Sequence, residues 1–294
     1  MSPLIGVIVH PARRVKLDGV RVTGVSTPTR PFEENEDWLG SGPGLVVVLD
    51  GCGAGDTLAE EVDRHCVHGL PWYVKTLGTA LLRGGTDPAT PLDDALATAI
   101  AETASAHHGR CDLRHPLTPA ANVAALRVNR MTVEYLVLSA ATVLLDDGSG
   151  EPIVVTDDRL SRLDLPAHGD SAHGGDRHRE ISAERLRLIG AARNRPDGYP
   201  VAAAEPQAAY QAVTGHLDRH RLRRALLATA GATRLVDLFG ELTWPQLLDL
   251  AAERGPDEVV SRTRRAEDTD PDCTGWPRDT VHEDATVVYC SFEP

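Results

Sequence analysis

The feature that most constrains the fold is the unbroken apolar run Leu45-Val46-Val47-Val48-Leu49, which ends in Asp50-Gly51-Cys52-Gly53. A strand with one wet face alternates apolar and polar side chains. This one does not, so both of its faces must be covered. The end of the run matters chemically, because Asp50 delivers a carboxylate and Gly51 a backbone carbonyl at the tip of a buried strand. Upstream, Asn35-Glu36-Asp37 supplies two more carboxylates, and His282-Glu283-Asp284 precedes another strand, Ala285-Thr286-Val287-Val288. Hard cations such as Mg²⁺ and Mn²⁺ bind through oxygen ligands of this kind and keep several waters. Taken singly the signals have plainer readings. Asp-Gly is also a hairpin-turn signal, and residues 33–37 also read as a solvated acidic loop. Their combination favours the metal.

The rest of the chain sets out the layers. Apolar runs at 4–9 and 20–26 predict strands joined by a basic turn, and the spacing from Asp56 to Leu82 is helical, broken or kinked at Gly69-Leu70-Pro71. A second helix is predicted from Thr90-Pro91-Leu92-Asp93, with Thr90 as N-cap and Pro91 at the first helical position. Residues 121–156 predict four strands in an antiparallel meander that turns at Asn129-Arg130 and at 146–150. Residues 163–180 read as a mobile surface loop, whose His168, His173 and His178 are too irregularly spaced for a metal site. Helices are expected at 182–193, 205–214, 243–254 and 256–267, with strands at 225–229 and 285–292. This order points to an α+β fold: an α/β/β/α sandwich of two antiparallel sheets flanked by helices, in one domain spanning 1–294.

A formal net charge of −13 opposes binding to phosphate backbones and so argues against nucleic acid as a partner. A phosphate ester remains open, because a bound metal inverts the local field. No run approaches the roughly 18 apolar residues of a membrane span. The apolar start lacks a basic flank and a cleavage site, so it reads as a strand rather than a signal peptide, with the cytoplasm as the expected location. Arginine is abundant, as in bacterial chains from GC-rich genomes, so single arginines carry little information. The five cysteines have no Cys-x-x-Cys pair and predict neither disulfides nor a zinc site. His65-x-x-His68 with Cys66 makes half of a zinc site, but no further ligand clusters with it in sequence. Cys111 with His115 lacks the third group that a nucleophile pair needs. Cys52 sits beside Asp50.

Four segments in order resemble the metal-dependent phosphatases of the protein phosphatase 2C family. They are Asn35-Glu36-Asp37, Val48-Leu49-Asp50-Gly51, Leu226 to Thr233 (Leu-Leu-Ala-Thr-Ala-Gly-Ala-Thr), and Glu283-Asp284-Ala285-Thr286-Val287-Val288. The resemblance implies the sandwich fold and a phosphoester hydrolase in which two Mn²⁺ or Mg²⁺ ions activate water for in-line attack on phosphorus. It implies Asp50 as the bridging ligand, the Gly51 carbonyl on one metal, Glu36 and Asp37 through metal waters, and Glu283 in place of a closing aspartate. Asp50, Glu36 and Asp37 are thus the expected catalytic residues. Arg30 is the nearest candidate for the substrate phosphate, since Phe32 occupies the family's arginine position.

Two further departures lie inside well-matched motifs: Ala230 stands where the family has a metal-binding aspartate, and Ala140 where another serves an additional metal. Either the chain kept the fold while losing ligands, or the aspartates were replaced deliberately. The leading expectation is a phosphatase acting on a phosphorylated Ser/Thr protein or a small phosphate ester, impaired by Ala140 and Ala230. The rival is a non-catalytic pseudophosphatase serving as a binding or regulatory module; unrelated chemistry on the same scaffold is a third possibility.

Overall fold

The structure, a computed structural model, describes residues 13–17, 19–30, 32–53, 58, 61, 64–168 and 176–292, with side chains from residue 19 onward outside 176–179. Two antiparallel sheets pack face to face. One runs β1 (Arg13–Leu17), β2 (Val20–Thr27), β11 (Ala285–Phe292), β10 (Arg224–Ala228), β7 (Thr142–Asp146), β8 (Ile153–Thr156). The other runs β3 (Trp38–Gly42), β4 (Leu45–Cys52), β5 (Ala120–Val128), β6 (Thr132–Leu138), β9 (Val213–Asp218). The unalternating run in β4 is explained by what covers it. Val46 and Val48 point at the opposing sheet, packing with Val143, Leu145, Leu227 and Val288. Leu45, Val47 and Leu49 point the other way, into helices α1 (Gly69–Gly85) and α2 (Leu92–Ala106). Each such buried side chain contributes roughly 1.5–3 kcal/mol. On the far side, α4 (Ala230–Asp237), α5 (Trp244–Arg254) and α6 (Pro256–Asp268) cover the six-stranded sheet through Leu226, Ala228, Val287, Leu247 and Val259. The four-layer sandwich expected from the sequence is therefore present. Helix α3 (Asp176–Ala192) lies outside these layers and packs on Leu58 and Leu117.

Several local expectations are corrected. The strands between 121 and 156 are not one meander: β6 pairs with β5 and β9, whereas β7 crosses to the other sheet and pairs with β8 and β10. The helix expected at 205–214 is a short 3₁₀ turn over Pro206–Gln211 followed by the edge strand β9, whose residues alternate in exposure. The basic stretch Arg13–Leu17 is a strand pairing with β2 rather than a turn. Among the described residues the α1 helix starts at Gly69, so the Gly-Leu-Pro break is its beginning. Pro91 is the cap of α2 and Leu92 its first residue, one position later than predicted. The expected strand at 4–9, and most of the loop centre at 169–175 with His173, lie outside the described residues.

The α1–α2 connection is fixed to the sheet by Arg127 of β5, a side chain that is almost fully buried. Its Nη1 lies 3.2, 2.9 and 2.7 Å from the carbonyls of Gly85, Asp87 and Thr90, and its Nε donates to Glu134 at 3.1 Å. Removing a charged donor that leaves buried acceptors unpaired costs about 1–3 kcal/mol or more. Arg127→Met is therefore expected to lower unfolding stability by about that amount in a denaturant titration, and a loss below about 1 kcal/mol would contradict this role.

Candidate functional site

Antiparallel pairing brings the chemically interesting ends together. Ala228 at the end of β10 lies opposite Thr142 at the start of β7 and Val287 near the start of β11, and Ala285 lies opposite Thr27 at the end of β2. In the other sheet Asp50, near the end of β4, lies opposite Asn122. The two edges face each other and are joined by hydrogen bonds. The Ala230 amide, first in α4, donates to Asp50 Oδ2 at 3.1 Å, and Asn122 Nδ2 donates to the same oxygen at 3.3 Å. Two close backbone approaches depend on glycine: a Cβ on Gly51 would meet the Glu36 carbonyl at 2.4 Å, and one on Gly231 would meet the Asp284 carbonyl at 2.1 Å.

The acids divide by role. Asp37 is buried, and its Oδ2 accepts hydroxyl bonds from Thr286 at 2.7 Å and Thr229 at 2.9 Å. Ser26 contacts the Thr286 hydroxyl at 2.7 Å and accepts from Asn35 Nδ2 at 2.8 Å, while Asn35 Oδ1 accepts the Asp37 amide at 2.9 Å. Asp284 fixes the loop before β3: Oδ1 accepts the Thr29 amide at 2.6 Å and hydroxyl at 2.7 Å, and Oδ2 accepts the Glu36 amide at 2.5 Å. That pins the main chain of Glu36 over the β4 tip, where a Cβ on Gly53 would lie 3.5 Å from Glu36 Oε2. Burial, then the charges of Asp50 and Asp284, hold Asp37 well above the usual carboxylate range. Part of Asp50 reaches solvent, yet its carboxyl is pushed up to about 7, first by desolvation and then by Glu283. Burial and then Asp50 push the Cys52 thiol up to about 12.

Glu283 meets a cation that the sequence did not advertise. Arg234, on α4, pairs with Glu283 at 2.9 Å and with the fully buried Glu267 at 2.5 Å, and Arg264 pairs with Glu267 at 2.7 Å while also reaching the Glu283 carbonyl. The approach to Glu283 is braced by Arg278, which donates to Asp270 Oδ2 at 2.6 Å and to the Val281 carbonyl at 3.2 Å.

The remaining expected residues are placed as follows. Arg30 is exposed and pairs with Glu33 at 2.9 Å. Ala140 lies in the β6–β7 bend beside Ser139, whose amide donates to Asp157 at 3.2 Å; Asp157 is in turn held by Arg159 at 2.7 Å, a structural pair. Ser26, Thr29, Asn122, Arg234 and the bracing role of Asp284 were not anticipated. Thr229, Thr286 and Asp284 lie within the quoted motifs, whereas Ser26, Asn122 and Arg234 carry no sequence signal of their own.

The donor set can be weighed against the divalent ions that the resemblance implies. Asp50 has one oxygen taken by two N–H donors, leaving Oδ1. Among the described residues, the acids do not converge closely: the one group with three or more such ligand atoms all within 4.8 Å of one another is a Cys/His cluster elsewhere. An open arrangement of carboxylates suits one hydrated hard cation, which takes one or two carboxylates and keeps its waters. It does not suit a cage in which Ala230 and an arginine-paired Glu283 share a second ion.

Stability should show the raised carboxyl. In the metal-free chain Asp50 holds its proton to about pH 7, whereas the unfolded carboxyl releases it near pH 3.9. The folded state binds the proton more tightly between these values, so this contribution to stability falls as pH rises from about 4 to about 7. With chelator present, urea midpoints should therefore favour Asp50→Asn over the wild type more at pH 8 than at pH 4; the reverse trend would contradict the site's electrostatics.

No family model matches the sequence, and no curated protein matches it. Solved structures do share its fold. The Mycobacterium tuberculosis serine/threonine phosphatase PstP/Ppp superposes with a TM-score of 0.54 at 15% identity, covering 94% of this chain and 99% of that one. Serine-threonine phosphatase 2C from Toxoplasma gondii gives 0.54 at 14% identity, over 97% and 99%. The PstP catalytic domain in complex with two manganese ions gives 0.51 at 16%, over 92% and 97%. At such identities the likeness establishes the fold.

Proposed function

We propose that the chain is a metal-dependent phosphoester hydrolase of the protein phosphatase 2C type, with a centre reduced to one firmly held Mn²⁺ or Mg²⁺ and low turnover. The observation that carries this reading is electrostatic. Acids from segments distant in sequence face one another at one edge: the leading charges acting on Asp37 are Asp50 and Asp284, and the leading charge acting on Asp50 is Glu283. A divalent cation is the group that relieves such a cluster.

Asp50, through Oδ1, and Gly51 at the strand tip would hold the ion, with Glu36 placed over the same tip. When bound, such an ion neutralises phosphoryl oxygens and lowers the pKa of a water. The protein's own part is positional. Thr229 and Thr286 fix Asp37, Asp284 fixes the Glu36 main chain, and the Ala230 amide fixes Asp50. Arg30 would exchange Glu33 for the phosphate of a phosphorylated Ser/Thr protein or a small ester. The second reading, a non-catalytic phosphate-binding module, is favoured by Ala230, Ala140 and the guanidinium on Glu283, which together remove or occupy the remaining metal ligands.

Mn²⁺-dependent hydrolysis of an aryl phosphate separates the two. Ala140→Asp/Ala230→Asp is expected to raise kcat/KM at least about 10–100-fold over the wild type, the span that losing a ligand's mere supporting partner costs. Asp50→Asn should abolish turnover in both backgrounds. A restored chain that binds Mn²⁺ yet hydrolyses nothing supports the binding module, and one that binds no divalent ion sinks the phosphatase reading.

A further inference from the structure

A second cluster of ligating side chains lies in the layer of helices α1 and α2. Helices α1 and α2 form an antiparallel hairpin. Its closed end, residues 86–91, is clamped by Arg127 as described above. At its open end the residues before α1 meet those after α2. There Cys66, His68, His107 and Cys111 each offer one ligand atom, and all four atoms lie within 4.8 Å of one another. Tetrahedral zinc, with Zn–S near 2.3 Å and Zn–N near 2.0–2.1 Å, places its donors roughly 3.3–3.8 Å apart. The His68 Nδ1 to Cys111 Sγ separation is already 3.3 Å. Cysteine spacing alone predicts no zinc site, yet two pairs remote in sequence are neighbours in space. His115, the sequence neighbour of Cys111, stacks instead on His65 with ring centroids 3.6 Å apart.

Two further features point to a ligand. His107 is buried, and its Nδ1 lies 2.9 Å from the Thr103 carbonyl, which makes Nδ1 the protonated nitrogen. That leaves Nε2 with a free lone pair, and it is buried without any hydrogen-bond partner. A ring nitrogen donating to a carbonyl while the other stays bare is how metal-bound histidines are oriented. Trp72 closes over the cluster, stacked on His68 at 4.1 Å and edge-on to His107 at 4.7 Å. One contact must change: Arg110 Nη2 lies 3.0 Å from His68 Nε2, and that bond is released when Nδ1 takes the metal and Nε2 carries the proton.

We propose that Cys66, His68, His107 and Cys111 form a closed, four-ligand Zn²⁺ site that staples the open end of the α1–α2 hairpin. Two thiolates and two imidazoles select zinc over the oxygen-loving Mg²⁺ or Mn²⁺ of the carboxylate edge. With all four positions supplied by protein, the role is structural. Binding releases the two thiol protons to solvent, and its free energy adds directly to folding.

Elemental analysis of the protein expressed with added zinc should find about one zinc per chain, retained in Asp50→Asn and lost in Cys66→Ser/Cys111→Ser. The Asp50→Asn arm keeps this test independent of the phosphatase reading. Co²⁺ substitution of the wild type should give intense tetrahedral bands with thiolate charge transfer, and chelator should lower its thermal midpoint. If the double variant does not fold, the wild-type cobalt spectrum decides alone. Zinc-free protein, a cobalt spectrum without thiolate charge transfer, or a Cys66–Cys111 disulfide under reducing conditions would each overturn the proposal.

Discussion

Everything at the candidate centre depends on two sheets packing through one apolar layer. Val46 and Val48 of β4, Leu227 of β10 and Val288 of β11 interlock between the sheets. Because the strands are antiparallel and in register, that contact fixes which ends face each other. The tip of β4 meets the end of β10 and the start of β11, and three acid-bearing segments distant in sequence arrive at one edge. Glu36 and Asp37 sit in the loop before β3, but the rest of the edge is set by regular elements. Asp50 is placed by a strand, Ala230 by the first turn of a helix, and Asp284 by the start of a strand.

The edge is an electrostatic compromise. Burial and the charges of Asp50 and Asp284 disfavour ionisation of Asp37, burial and Glu283 disfavour that of Asp50, and hydroxyl and amide donors relieve only part of the cost. A few residues along, the compromise takes another form. Arg234 sits between Glu283 and the buried Glu267, with Arg264 completing the group. One half of the edge therefore still asks for a cation from solution, whereas the other has a guanidinium built in. This division, together with Ala230, is what the proposed single-ion centre rests on.

How much of this was legible follows from what each signal depends on. The sandwich could be read from Leu45 to Leu49, because missing alternation in a short strand admits one explanation, coverage on both faces. The acids were legible as motifs, and so were the two alanines that interrupt them. The strand crossing from β6 to β7 was hidden, since apolar runs separated by turns look the same whether the next strand pairs or changes sheet. Arg234 was hidden among many arginines, and only tertiary placement distinguishes it. The Cys/His cluster was half legible at Cys66 and His68, but its other half is brought alongside by the helical hairpin, in a Cys-x-His and His-x-x-x-Cys arrangement that spacing rules do not anticipate.

The most direct test is a Mn²⁺-soaked crystal measured at the manganese absorption edge. One anomalous peak is expected at the carboxylate edge, in contact with Asp50, with Arg234 still seated on Glu283. Two peaks bridged by Asp50 with Glu283 turned from Arg234 onto the metal, or no peak at Asp50 at saturating Mn²⁺, would contradict the single-ion centre.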